Sequence, residues 1–296
     1  MKSLSDYLKD RYTPDTVKAY EREIIIFLGN FPDANKAVYK DLINYLGILR
    51  TRYTNVRTIN RILASIKAYY EYLSYTGLRK DNPAKSIKLR DKQSKDIQLQ
   101  DLFTVEELES LLNRKERFNK LEYRNKVLMS LLIYQALHPK ELEGITLNDI
   151  NLQQGSIYIK ATPKNNSREL TLKPSQIMLF YQYIFEIRPK LLKKENLQIT
   201  QAESAGALLI GSTGNPMPAE DISKHIKRNY KSRFNNRKMN AQTIRQSVIT
   251  NLLKAGNDLR IVQTFAGHKY PGTTERYKQT NVEALKNAVN NFHPIK

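Results

Sequence analysis

Cysteine and tryptophan are absent from the 296 residues, and histidine occurs four times. Without cysteine there is no disulfide scaffold, no thiolate zinc site and no thiol nucleophile, and four histidines leave little material for a metal cluster. Long apolar runs are missing too. The longest, such as residues 24–28, fall far short of the ~20 residues that span a bilayer, and the opening MKSLSDYLKD has no apolar leader core. The expectation is a cytoplasmic protein with no membrane contact, no metal and no cofactor. Acidic residues are the remaining shortage: 29 Asp and Glu stand against 49 Lys and Arg, a net charge of +20. A surplus of that size calls for a polyanionic partner and puts nucleic acid first, although a ribosomal or otherwise basic protein carries the same charge.

At roughly 100–200 residues per domain, the length allows two domains. Residues 1–78 read as a helical bundle. Thr13 and Pro14 make an N-cap with proline in the first turn, and Val17, Tyr20, Ile24, Phe27 and Leu28 then recur at helical spacing until Gly29. A second helix is predicted over 39–52. A third, starting near Thr54 or Asn55, carries Ile59, Ile62, Ile66, Tyr69, Tyr70 and Leu73 up to Gly77. Residues 79–100 hold seven basic side chains, one proline and few large apolar residues, which reads as a linker, either a solvated tether or a strap along phosphates. The charge is +8 up to residue 100 and +12 beyond it, so both halves face the same polyanion. The second half, 101–296, opens on a capping box made by Thr104 and Glu107. Helices are predicted at 123–137, 219–232, 240–255 and 258–266, and a β-hairpin across 157–172, where two alternating runs flank residues 163–167. In the tail beyond residue 278, Val282, Leu285, Val289 and Phe292 form one apolar stripe of a short helix.

The densest chemical signal lies in residues 240–277. Arg245 sits on a helix whose Ile244, Val248, Leu252 and Leu253 face a core, Gly256 ends it, and a second helix runs to Gly267 and His268. A turn with Pro271 and Gly272 then leads through Thr273 and Thr274 to Tyr277. This pattern resembles the tyrosine recombinase (phage integrase) family. Its signature is H-x-x-R-H, then a Gly-His or Gly-Trp pair, then a nucleophilic tyrosine nine residues beyond that pair. Arg245, Gly267-His268 and Tyr277 meet that spacing. The stretch NLLKAGNDLRIVQTFAG (251–267) is similar to the family's LLEAG-x-DL-x-x-I-Q-x-x-LG segment, NPAKSIKLR to its interdomain linker, and LFTVEELESLL to its catalytic-domain entry.

The resemblance implies a mainly α fold with a small antiparallel sheet: a SAM-like helical core-binding domain over 1–78, the linker 79–100, and a catalytic domain over 101–296 with its tail from 278. It also implies a site-specific recombinase or integrase acting as a homotetramer on paired double-stranded DNA sites. Strands would be cut and rejoined through a covalent 3′-phosphotyrosine, without metal or ATP. Tyr277 is then the nucleophile. Arg245 clamps the nonbridging oxygens where charge concentrates in the transition state, because its planar donors fit them bidentately. His268 hydrogen-bonds a phosphate oxygen, and Lys164, at the hairpin turn, is the general acid for the 5′-oxygen.

Two boxes depart from the family. Its first arginine lies in T-G-L-R-x-x-E-L, which reads QALHPKEL here, so His138 takes that position. Lys140, two residues on, points to a different helix face, while Pro139 suits a first helical position and leaves His138 at the cap. The box histidine is Gln242 and its last position Gln246; glutamine donates a hydrogen bond but exchanges no proton near neutrality. Loss of one preorganised donor costs ~10²–10³ in rate, which implies impairment more readily than absolute loss. Two readings follow: an active, divergent recombinase, or a catalytically impaired double-stranded DNA-binding protein of the same fold. An RNA-binding protein finds no support, since no RNP-like aromatic motif or glycine-rich clamp is present.

Overall fold

Local signals write the first helices. The computed structural model describes residues 2–91, 99–192, 206–234 and 237–278. In it, Ser3 caps α1 (Leu4–Lys9) by accepting from the Asp6 amide at 3.1 Å, and α2 (Pro14–Asn30) starts on the Thr13-Pro14 pair. α3 (Tyr39–Arg52) follows, and Asn55 caps α4 (Val56–Tyr75) by accepting from the Arg57 amide at 2.9 Å. The chain divides into two compact units, Met1–Lys95 and Asp96–Lys296.

The core of the first unit is aromatic. Phe27 meets Tyr45 edge to face with centroids 5.3 Å apart, and Phe31, Tyr69 and Tyr70 join the same cluster. Each ring removes roughly 150–250 Å² from water, or about 4–6 kcal/mol before the entropy of ordering is charged against it. Tyr70 keeps its hydroxyl satisfied by donating to the Ala34 carbonyl at 2.9 Å, and burial pushes its pKa up to about 12. Ala84 and Ile87, from the stretch that reads as linker, are buried in this core, and Lys67 Nζ donates to the Ile87 carbonyl at 2.7 Å.

In the second unit the Thr104–Glu107 capping box forms and starts α5 (Val105–Ser110). α6 (Asn119–Tyr134) runs through the centre with Val127, Leu128, Leu131 and Leu132 fully enclosed. It ends three residues earlier than its apolar pattern predicts, because Ala136 adopts φ +50°, a left-handed conformation that stops a helix. His138 caps the short α7 (Pro139–Glu143), and a three-stranded antiparallel sheet follows: β1 (Ile150–Asn151), β2 (Ser156–Ile159) and β3 (Arg168–Thr171), in that order. Ile157 pairs with Leu170 and Ile159 with Arg168, so the hairpin has the predicted strands plus one more. α8 (Pro174–Tyr181), a π-helical stretch (Gln182–Ile187) and α9 (Arg188–Leu192) return over α6. Then come α10 (Ala219–Tyr230), α11 (Ala241–Lys254), α12 (Leu259–Ala266) and α13 (Pro271–Lys278). No helix among the described residues is long and apolar enough to cross a membrane. The tail helix expected beyond residue 278 lies outside the described residues.

Candidate active site

Three helix ends bring Arg245, His268 and Tyr277 together. Asn240 caps α11 by accepting from the Thr243 amide at 2.9 Å, which sets Arg245 on the second turn facing inward, 4% exposed. Asp258 caps α12, and Gly267 ends it at φ +69°. A Cβ there would lie 2.5 Å from Arg168 Nη1 and 3.0 Å from the Asn166 carbonyl, so both the backbone and the space demand glycine. The chain then turns His268 inward, and Pro271 opens α13, where Thr274 and Tyr277, three residues apart, share a face.

Arg245 donates through Nη1 to the Ala136 carbonyl and through Nη2 to the Ala266 carbonyl at 2.6 Å, with Glu141 Oε2 3.7 Å away. Burial pulls its pKa below the usual guanidinium value, opposed by Glu141. His268 Nδ1 lies 2.8 Å from Thr274 Oγ1, and its ring stacks on Tyr277 with centroids 6.0 Å apart and planes 15° apart. Burial, then the charges of Arg245 and Arg168, push His268 down to about 4, so it is neutral at pH 7. Burial raises the Tyr277 phenol, while Arg245 and Arg276 pull it the other way.

Glu141 sits beneath this group. Its Oε1 accepts from Arg168 Nη1 at 2.8 Å and Asn165 Nδ2 at 2.9 Å, and its Oε2 from the His138 backbone amide at 2.8 Å. Burial alone would raise its pKa; Arg168 above all, with the His138 amide and Arg245, overcomes that and holds it low. Neither Glu141 nor Arg168 follows from the sequence as a site residue. Their partnership spans 27 residues, and its only trace is the E of the T-G-L-R-x-x-E-L segment.

The other candidates form an exposed rim. His138 Nδ1 accepts from the Lys140 amide at 3.3 Å. The surrounding protein, then Arg245, Lys164 and Lys140, hold its pKa below the ordinary imidazole value against Glu141. Lys140 turns to Glu143 at 3.2 Å. Lys164 is exposed in the hairpin loop and close enough for its charge to act on His138. Gln242 is exposed three residues before Arg245, on the same helix face. Among the described residues no group of three or more His, Asp or Glu is placed to hold a metal ion.

A model of the phage integrase family matches residues 101–284. The chain belongs to that family. It is 25% identical over 99% of its length to the tyrosine recombinase XerC of Natranaerobius thermophilus, covering 94% of that protein. It is 27% identical over 97% of its length to the XerD of Staphylococcus saprophyticus, covering 95% of that one. Its fold matches XerH site-specific recombinase bound to a palindromic difH substrate, with TM-score 0.70, 20% identity and coverage of 92% of this chain and 78% of that one. It also matches the Tn1549 transposon integrase in complex with a circular intermediate DNA, with TM-score 0.66, 17% identity and coverage of 96% and 100%. The mainly α architecture with its small antiparallel sheet is that of the family, and membership supports a recombinase enzyme in site-specific recombination.

Proposed function

We propose that this chain is a site-specific DNA recombinase that cuts and rejoins strands through a covalent 3′-phosphotyrosine at Tyr277. The observation that carries the reading is the convergence of Arg245, His268 and Tyr277 in one buried cluster, with Lys164, His138 and Gln242 along its rim. The net charge of +20 and the DNA complexes of the structural neighbours support double-stranded DNA as the partner. Kinship with the tyrosine recombinases supports a homotetramer on paired sites.

In the cleavage step Tyr277 Oη bonds to phosphorus, the P–O5′ bond breaks, and its electron pair leaves on O5′, which takes a proton from Lys164 Nζ. The phenol proton passes to water. Arg245 holds the nonbridging oxygens as negative charge builds on them. With Thr274 donating to Nδ1, neutral His268 carries its proton on Nε2 and donates to the same oxygens; His138 and Gln242 add neutral donors where the family has charged or titratable groups. These cationic and neutral donors take the place of a metal, and the phosphotyrosine retains the bond energy for rejoining. The test is a nicked suicide duplex built from the protein's own genomic flanks, read on a denaturing gel. Native protein gives a covalent adduct. Tyr277→Phe gives none while duplex affinity stays unchanged, since no cation is removed. An adduct that survives this change reassigns the nucleophile, with the exposed Tyr270 nearest in sequence. The suppressed charge of His138 favours a second reading, a catalytically impaired double-stranded DNA-binding protein, which tight duplex binding with no adduct from native protein would establish.

A further inference from the structure

Three cations lie in the loop between β2 and β3 or at the start of β3, and two are already committed. Lys160 pairs with Asp149 at 2.8 Å and Arg168 with Glu141 at 2.8 Å, whereas Lys164 has no carboxylate within ion-pair distance among the described residues. Next to Lys164, Asn165 is tied on two sides. Its carbonyl accepts from the Thr162 amide at 2.9 Å, and its amide donates to Thr162 Oγ1 at 3.0 Å, which closes the turn locally. Its side chain reaches out of the loop, and Nδ2 donates to Glu141 Oε1 at 2.9 Å. One residue on, the Asn166 amide donates to the Gly267 carbonyl at 2.8 Å, immediately before His268. The carboxylate that receives Asn165 also receives Arg168 and the His138 amide.

We infer that Asn165 is a positioning residue, which latches the Lys164 loop onto Glu141 and so aims the lysine ammonium at the leaving 5′-oxygen. The Thr162 contacts keep the turn's own shape when the side chain is removed, so what the latch supplies is the placement of that turn against α7. A misplacement of about 1 Å is enough to cost on the order of 10²-fold in rate. The inference rests on Lys164 being the general acid, and the experiment separates the two.

A duplex whose scissile phosphate has sulfur in place of the 5′-bridging oxygen needs no general acid. Tyr277 Oη still bonds to phosphorus and the P–S bond breaks, but the electron pair leaves as a thiolate, whose thiol has a pKa of about 8.5 against ~15.7 for water and similarly high values for an alcohol. Lys164→Ala and Asn165→Ala are each expected to cleave the oxygen substrate at least ~10-fold more slowly than native protein and to return to within about threefold of it on the sulfur substrate. Asn165→Asp, which faces Glu141 with a second carboxylate, should be slower still on oxygen and equally rescued on sulfur. Arg245→Ala should stay slow on both. Duplex affinity of Asn165→Ala should match native protein, and its circular-dichroism melt should stay one cooperative transition, lowered only by the loss of a hydrogen bond to a buried carboxylate. Failure of sulfur to rescue Lys164→Ala removes the general-acid reading. Rescue of Lys164→Ala without rescue of Asn165→Ala overturns the latch, as does native-like cleavage of the oxygen substrate by Asn165→Ala.

Discussion

Among the described residues the first unit buries two polar side chains, Glu23 and Ser65, whereas the second buries Arg124, Arg168, Arg188, Arg245, Glu141, His225 and His268 among others. The carboxylates show the contrast best. Glu23 is enclosed, but its partners Arg22 and Arg61 are 70% and 41% exposed and keep much of their water. Glu141 and Arg168 are 0% and 3% exposed, so both ions have given up hydration. A buried pair of that kind gives little net stability over apolar residues of the same shape. What it supplies is direction: one carboxylate orients α7, β3 and the Lys164 loop. The first unit spends its interior on tyrosine and phenylalanine packing, and the second spends part of its interior on aiming groups.

The largest expected effect follows from that contrast. Glu141→Ala strands the Arg168 guanidinium in the core and should lower stability by about 3–5 kcal/mol. Glu23→Ala, whose arginines can turn to water, should cost about 1 kcal/mol through lost hydrogen bonds. Urea titrations of the two variants, followed by hydrogen exchange resolved to each unit, check the difference, and equal losses would erase it.

Acid should divide the units next. None of the four histidines lies in the first unit. In the second, burial foremost, followed by arginine charge, pushes His225 and His268 down to about 4. The unfolded chain therefore binds their protons below about pH 6.5 while the folded chain refuses them until about pH 4, and stability falls as pH drops through that window. By pH 5 the loss is on the order of 2 kcal/mol per histidine, since one pKa unit is about 1.4 kcal/mol. Hydrogen exchange should show the second unit loosening between pH 7 and 5 while the first holds, and His225→Asn should remove somewhat less than half of that slope, since His138 is depressed too.

The smallest effect compares one substitution in two places. Ala68→Gly, in the interior of α4, should cost about 2 kcal/mol from helix propensity and a lost buried methyl. Ala136→Gly loses the same methyl but releases the left-handed strain of φ +50°, worth about 1–2 kcal/mol, and should be close to neutral. Thermal melts of the pair are sufficient, and an equal loss at both positions would show that Ala136 is not strained.

The same contrast marks what the sequence can show. α2, α3 and α4 are legible because caps, proline and apolar spacing lie within one or two turns of each other. α1 is missed, since six residues hold too few repeats to reveal a period. The hairpin is legible from its alternation, but β1, two residues long, is not. In the second unit, spacing names Arg245, His268 and Tyr277, which the structure brings together. It does not reveal that Glu141, Arg168 and Asn165 form one hydrogen-bonded knot, because no local pattern records a contact across 24 or 27 residues. The early end of α6 escapes for a different reason: alanine is the best of helix formers, and only its carbonyl's engagement by Arg245 shows why it leaves the helix.

The close approach at Gly267 also sets an order of events. The Asn166–Gly267 hydrogen bond joins points about a hundred residues apart, while the turn it fastens closes over three or four. Loop-closure entropy makes the short contact early and the distant one late. A chain emerging from the ribosome thus acquires the Lys164 turn long before it has the segment that carries His268 and Tyr277. The chemistry proposed for Tyr277 therefore waits until the segment that carries His268 and Tyr277 has been made and has docked on that turn.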